Sequence, residues 1–439
     1  MLSAQAFDIF CTPRMNESIE KVEWTPYYPY VKFFRNNDTI EITINQSDVF
    51  EAMDDGLLLI SGKVKKNGGG TVSFVNNTGA FMFSAISYEM NVKEIERVRD
   101  PGLVSTVRGY MCYTEEDSKH LVVAGWNYPN APLLDSNEGY FSFLIPLKHL
   151  FNIFNDYRVV TCGKQTIKLT RSNNDNNCLL ITEKTTGSTT TTTTASIDIE
   201  NVELKIKRIY PNNDIRLKLL KAIRADTPIV IPYRQWELQM KPSLPQGSTH
   251  GDVWPIKTTS AVESPRYVIV CFQTDKQDKL TADPTYFDNI NITKISYMSC
   301  MRKRFLLDFK AFKARTLFVI DCSRRDESMK PSTIDVRLDI EASEGFPDNT
   351  RVYCILVHDS IMEHLPLSEI VKNLSQMAKT ISFIEYSYNH NIRKLQRLKE
   401  DMDIFERKLE MFTESQKLML WDEKVFKNLD RFKNIPPTH

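Results

Sequence analysis

Apolar and polar residues alternate along most of this chain with the two-residue period of a strand, and only towards the C-terminus does the period lengthen to that of a helix. Thr39-Ile40-Glu41-Ile42-Thr43-Ile44 steps by two, as a strand with one wet face does. Residues 57–60 are continuously apolar, and Lys65-Lys66-Asn67-Gly68-Gly69-Gly70 beyond them reads as a turn, because glycine tolerates positive φ. Further strands are predicted at 139–144, 165–170, 179–182 and 202–207, then at 229–231, 292–298, 317–320, 333–340 and 351–357. Pro265-Arg266-Tyr267-Val268-Ile269-Val270-Cys271-Phe272-Gln273-Thr274 stands out as a β-branched and aromatic run, opened by proline and closed by a polar turn. It reads as a buried strand. In 333–340, Ile334, Val336, Leu338 and Ile340 share one face while Asp335, Arg337 and Asp339 share the other, the pattern of a half-buried antiparallel strand. Many short strands separated by turn chemistry predict sandwiches, and the lack of helices between most of them excludes a parallel α/β sheet with its ligand crevice.

Two breaks organise the chain. The threonine-rich tract at 185–196 is too polar to bury much surface and is read as a mobile surface loop inside the first domain, with a domain linker as the alternative. The second break is a predicted short helix at 213–226, where Ile215, Leu217, Leu219, Leu220 and Ile223 follow the N-cap candidate Asp214. It is the better boundary. Between Pro366 and Pro436 there is neither proline nor glycine, which predicts helix. There Leu395, Leu398, Met402, Phe405, Leu409, Phe412, Gln416 and Met419 are spaced alternately by three and four, the seam of a coiled coil or the apolar face of a helix folded back on its own protein. The expected division is therefore an arm at 1–24, a first sandwich at 25–212, a linker helix at 213–226, a second sandwich at 227–365 and a helical extension at 366–439.

Composition narrows the function. At 439 residues, with 41% hydrophobic and 10% aromatic residues, the chain is long enough for two folded domains. Lys plus Arg and Asp plus Glu are both 56, so no bulk charge draws it to nucleic acid or anionic lipid. The eight cysteines form no C-x-x-C pair, which argues against zinc, and Cys271 and Cys354 sit in apolar runs where a thiol acts as a small hydrophobe. No secretory leader and no membrane span is recognisable, so the expectation is synthesis inside a cell without secretion.

Catalytic signatures are missing: there is no phosphate loop, no H-E-x-x-H and no G-x-S-x-G, and Gly68-Gly69-Gly70 is followed by Thr71-Val72. His358-Asp359 has the form of a base with an orienting carboxylate, but a histidine held in a turn at a strand end fits the pattern better. Asp401 and Asp403 fall on opposite sides of a helix and cannot share a metal. Arg302-Lys303-Arg304 and Arg324-Arg325 are read as solvated loop charge, with phosphate contact as the alternative. No enzyme activity, cofactor or metal is expected.

With two all-β units in place, the order of segments acquires a meaning. Pro265 to Thr274, residues 289–297, Leu317-Phe318-Val319-Ile320-Asp321-Cys322-Ser323, residues 333–342 and 347–359 resemble the second half of the double jelly-roll family, the major-capsid-like proteins of eukaryotic DNA viruses and of virus-derived Maverick/Polinton-type transposons. Ala6-Phe7-Asp8-Ile9-Phe10 with Thr12-Pro13 resembles its N-terminal arm, residues 83–91 with Pro101-Gly102 its central strand and loop, and residues 143–151 its strand exit. The segment between Tyr297 and Leu317 looks shorter than the family's, and the helical extension is not a standard part of it. The resemblance implies two tandem antiparallel jelly rolls and a structural capsid subunit of the virion. Such a subunit associates with itself as a pseudo-hexagonal trimer, and with minor capsid or core proteins as further partners. The alternative is a domesticated or accessory β-sandwich binding protein, lectin-like or otherwise. In a trimer the 395–419 seam would be the oligomerisation element, three copies leaving on a common side.

Overall fold

The alternation is realised in a computed structural model that describes residues 18–128, 139–183, 185–186, 189–190, 193–251, 253–256, 265–297, 316–322 and 336–373. The chain divides into two units, Met1–Met377 and Ala378–His439, and every described residue belongs to the first. The seam residues Leu395, Leu398, Met402, Phe405, Leu409, Phe412 and Met419, the Asp401/Asp403 pair and both basic clusters lie outside the described residues.

The first half runs β1 (Ile19–Tyr27), β2 (Thr39–Asn67), β3 (Thr71–Phe74), α1 (Thr78–Phe81), β4 (Phe83–Met90), β5 (Lys93–Arg99), α2 (Pro101–Cys112) and α3 (Glu115–His120). It continues through β6 (Tyr140–Pro146), α4 (Leu147–Leu150), α5 (Ile153–Asp156), β7 (Thr161–Arg171), β8 (Leu179–Thr182), β9 (Thr185–Thr186), β10 (Thr189–Thr190) and β11 (Thr194–Pro211). Its main sheet has seven strands in the order β1-β11-β2-β7-β4-β5, with β6 also paired to β2. The spine is β2, which is one bent strand of 29 residues where the sequence pattern separates two. Its first half pairs with β7 and its second half with β11 and β6, and the register shifts between Gln46 and Glu51 where it bends. Inward residues of β2, Ile40, Ile42, Ile44, Leu58 and Ile60, are all fully buried.

After α6 (Asn213–Arg224) come β12 (Ile229–Lys241), β13 (Trp254–Ile256), β14 (Tyr267–Thr274), β15 (Ile292–Tyr297), β16 (Leu317–Asp321), β17 (Val336–Ala342), β18 (Thr350–Leu365) and β19 (Ile370–Asn373). They form two sheets, β12-β18-β14-β16 with β19 beside β18, and β13-β17-β15. The mainly antiparallel architecture agrees with the sequence pattern. The first of these sheets, five strands counting β19, explains the continuous apolar run: Val268, Val270, Phe272, Val352, Cys354 and Leu356 belong to the core of the second sandwich. Their neighbours Ile269, Cys271, Tyr353, Ile355 and Val357 belong to a larger core shared with the first. Because successive side chains point to opposite faces, a strand apolar at every position is one covered on both faces.

Three details differ from the sequence reading. Pro101-Gly102 opens a helix, α2, rather than a loop; Pro101 occupies its first turn, and 101–109 are buried throughout. Gly109 is needed there, since a Cβ would fall 2.2 Å from the Trp126 indole. The cap of α6 is Asn212, whose side chain accepts from the Ile215 amide at 3.0 Å, and not Asp214. Within the threonine tract the β-branched residues pair: Thr186 faces Thr189 across β9 and β10, and Thr194 already faces Asn67 in β11.

Two-face burial makes a specific prediction. Ile355→Ala and Leu356→Ala, neighbours on opposite faces of β18, should each destabilise the protein by about 2–5 kcal/mol in urea titrations. A sheet covered on one face would leave one of the two nearly neutral.

Candidate functional site

Charge and burial single out two places, a buried polar joint and an exposed apolar segment. The joint begins at Asn77, held at φ 63° before α1, a left-handed conformation that asparagine tolerates. Its amide nitrogen donates to the Ser105 hydroxyl at 2.7 Å, the Thr106 hydroxyl at 3.0 Å and the Gly102 carbonyl at 3.3 Å on α2. That leaves its oxygen to accept from His149 Nε2 at 2.8 Å, so the imidazole is the neutral Nε2–H tautomer, and its Nδ1 accepts from the Tyr113 hydroxyl at 2.8 Å. The Arg108 guanidinium, also buried, donates to the Lys148 carbonyl at 2.9 Å and to the Asn152 side chain and the His149 carbonyl. Glu96 completes the joint by accepting from the amides of Asn152 and Ile153, both at 3.0 Å, at the start of α5. Burial pushes the Glu96 carboxyl up to about 7 and holds His149 down to about 3, with Arg108 adding to the second shift.

The joint faces the second half of the chain. Tyr233 of β12 donates to the Ile95 carbonyl at 2.8 Å, the Arg234 amide donates to Asp156 at 2.9 Å, and Tyr110 of α2 donates to the Thr285 carbonyl at 3.1 Å. Between α3, α4 and the five-strand sheet lies a cleft of about 630 Å³, lined by Trp236, Ile269 and Val319 of that sheet and by Lys148, Arg158 and Arg234.

The exposed segment is 19–33. Among the described residues strand β1 ends the seven-strand sheet, paired to β11 alone, and its first six residues are exposed on both faces. Trp24 is 48% exposed, Tyr30 86% and Phe33 70%, with Ile19, Val22, Tyr28 and Val31 also on the surface. So many large apolar side chains in one short stretch mark an interaction surface. The sequence carried a signal for it, six aromatics between Trp24 and Phe34 interrupted by Pro26 and Pro29, but aromatic density alone reads as core.

The sequence-derived chemistry does not assemble. His358 is not at a strand end: β18 runs past it to Leu365, the ring is buried, and burial lowers its pKa. Asp359 points to the other face and binds Arg266 at 2.9 Å, so the two cannot act as a dyad. Among the described residues no three His, Cys, Asp or Glu side chains are grouped to hold a metal, and no helix is long and apolar enough to cross a membrane. Cys178, Cys271, Cys322 and Cys354 are buried free thiols.

The two titrations at the joint have opposite signs. Glu96 contributes stability that is present below about pH 4.5 and lost as pH rises through about 7, whereas His149 contributes stability present above about pH 6.5 and lost as pH falls towards 3. We therefore expect that, between pH 6.5 and 5, His149→Gln gains about 2 kcal/mol relative to wild type in paired urea melts, the charging of one imidazole over that interval. A difference independent of pH would remove His149 from the buried neutral state.

Comparison with known proteins follows the same architecture. Among solved structures the chain is similar to one of the Sputnik virophage, with a TM-score of 0.61 at 7% identity over 86% of this chain and 93% of that one. It is also similar to a chain of the PBCV-1 virus capsid, at 0.53 and 10% over 83% and 98%. The mavirus major capsid protein gives 0.52 and 9% over 86% and 95%. At such identities the likeness is one of fold. No curated protein sequence matches the chain. The sequence profile of the double jelly roll-like domain matches residues 72–298 and 294–362, more than half of the length. Two antiparallel sandwiches joined through a sheet covered on both faces, matched by that profile, place this chain in the double jelly roll-like domain family.

Proposed function

We propose that the protein is a structural capsid subunit that builds a viral or virus-like shell by self-assembly. The observation that carries this reading is the exposed 19–33 segment, an edge strand and an aromatic stretch where exposed large apolar side chains are densest among the described residues. An uncovered edge of this length, unblunted apart from its charges and Pro26, fits a chain that is covered by other chains. Likeness to viral capsid chains over most of the length supports the same reading. In it the subunits associate as pseudo-hexagonal trimers within a virion-like particle, formed from chains made inside the host cell. The apolar spacing at 395–419 supports a trimeric seam, and minor capsid or core proteins would be further partners. A virus-derived transposon is a source compatible with the same architecture.

A binding module is the second reading, and the cleft beside Trp236 with its cationic surroundings favours it.

Analytical ultracentrifugation with negative-stain electron microscopy separates the two. Full-length protein at micromolar concentration should sediment as a trimer or larger, and Tyr30→Ser with Phe33→Ser should shift it towards smaller species without changing its melting temperature. A monomer that assembles under no condition contradicts the shell reading. Truncation after Asn373 should keep the melting transition, because β19 and its pairing with β18 are retained, while altering assembly.

A further inference from the structure

The geometry points to a particular contact: β1 of one subunit pairs antiparallel with β1 of a second copy across a two-fold axis centred on Val22, joining two seven-strand sheets edge to edge. The inference rests on the reading of the chain as a self-assembling wall subunit, and it names the partner of the exposed edge.

Among the described residues no strand pairs with the outer edge of β1. In an antiparallel ladder alternate residues point their N–H and C=O groups away from the neighbour, so this edge offers main-chain donors and acceptors along its length. The strand is also exposed on both faces from Ile19 to Trp24, so a second strand can approach without displacing anything described beside it.

The side chains select both the partner and the register. Lys21 and Glu23 lie on one face of β1, 2.9 Å apart, and Val22 and Trp24 lie on the other. With Val22 opposite the partner's Val22, Lys21 stands opposite the partner's Glu23, and Glu23 opposite the partner's Lys21. The four charges then alternate around a square, while on the other face two valines meet at the axis; Glu20, at the register shift between Ile19 and Lys21, lies outside the regular ladder. A two-fold axis perpendicular to the sheet preserves its faces, so the register can move only in steps that keep like faces together. One such step in either direction sets Lys21 against the partner's Lys21 or Glu23 against the partner's Glu23. Like charges directly opposite are destabilising, so the Val22-centred register is favoured over both neighbours. The same strand serves as both halves of the contact, which is what an isologous interface between identical chains requires. Pro26 and Pro29 end the ladder on the far side, limiting the pairing to a short stretch.

The test is site-directed cross-linking of the full chain. Val22→Cys should give a covalent dimer on mild oxidation, because opposed residues in this register bring the two thiols within bonding reach. Wild type and Val92→Cys, exposed elsewhere, report the background of the native cysteines. Adding Lys21→Glu to Val22→Cys should reduce the dimer yield several-fold, and adding Glu23→Lys as well should restore it, since the swapped pair is again complementary. No dimer above background, or a swap that fails to restore yield, overturns the contact. Trimers or particles of Val22→Cys that yield no cross-linked dimer on oxidation overturn it while leaving the shell reading intact. A cross-linked, swap-sensitive dimer that never assembles further supports the contact and counts against the shell.

Discussion

The described fold hangs on the five-strand sheet of β12-β18-β14-β16 with β19 beside β18, whose β14 and β18 are covered on both faces. One face closes the second sandwich and the other joins the core of the first, so each buried residue on it serves one of two cores. Hydrophobic burial is non-directional, and it fixes relative orientation only where the covered surfaces are extensive. Here the same strands are shared, so the second sandwich cannot separate from the first without exposing Ile269, Cys271, Ile355 and Val357 to water. The two halves are thereby joined through one shared core.

Polar chemistry at the joint adds direction to that adhesion. Arg108, Glu96, His149 and Asn77 are all buried, yet each has partners on short helices and turns of the first sandwich. Such a network tolerates few alternatives, because a buried donor or acceptor left unpaired is costly. It sets the position of α2, α4 and α5 against the five-strand sheet. Its chemistry is structural in character: His149 is neutral and enclosed, and Glu96 spends its oxygens on amides at the start of α5. Among the described residues, exposed large apolar side chains are densest along 19–33.

How much of this the sequence revealed follows from where each residue finds its partner. Strands β14 and β18 were legible because two-face burial writes itself as an unbroken apolar run. Helix α2 was not: two glycines and the β-branched Val104, Thr106 and Val107 give it poor intrinsic propensity, and burial against Trp126 and the joint overrides that. The middle of β2 reads as an acidic loop, yet Glu51 is buried there against Tyr27 at 2.7 Å and Gln165 at 3.1 Å, partners 24 and 114 residues away. The exposed segment showed in the sequence only as aromatic density, which does not by itself mark it as surface. A pattern of apolar residues reports that a surface is to be covered and not whether its cover comes from the same chain.

Hydrogen exchange as a function of protein concentration tests the central claim most directly, because it reads the shared core and the 19–33 edge in one experiment. The account predicts that β14 and β18 are the slowest to exchange at every concentration, and that added protection on assembly concentrates in residues 19–33. Assembly that leaves 19–33 unchanged, or that first protects β14 and β18, would contradict it.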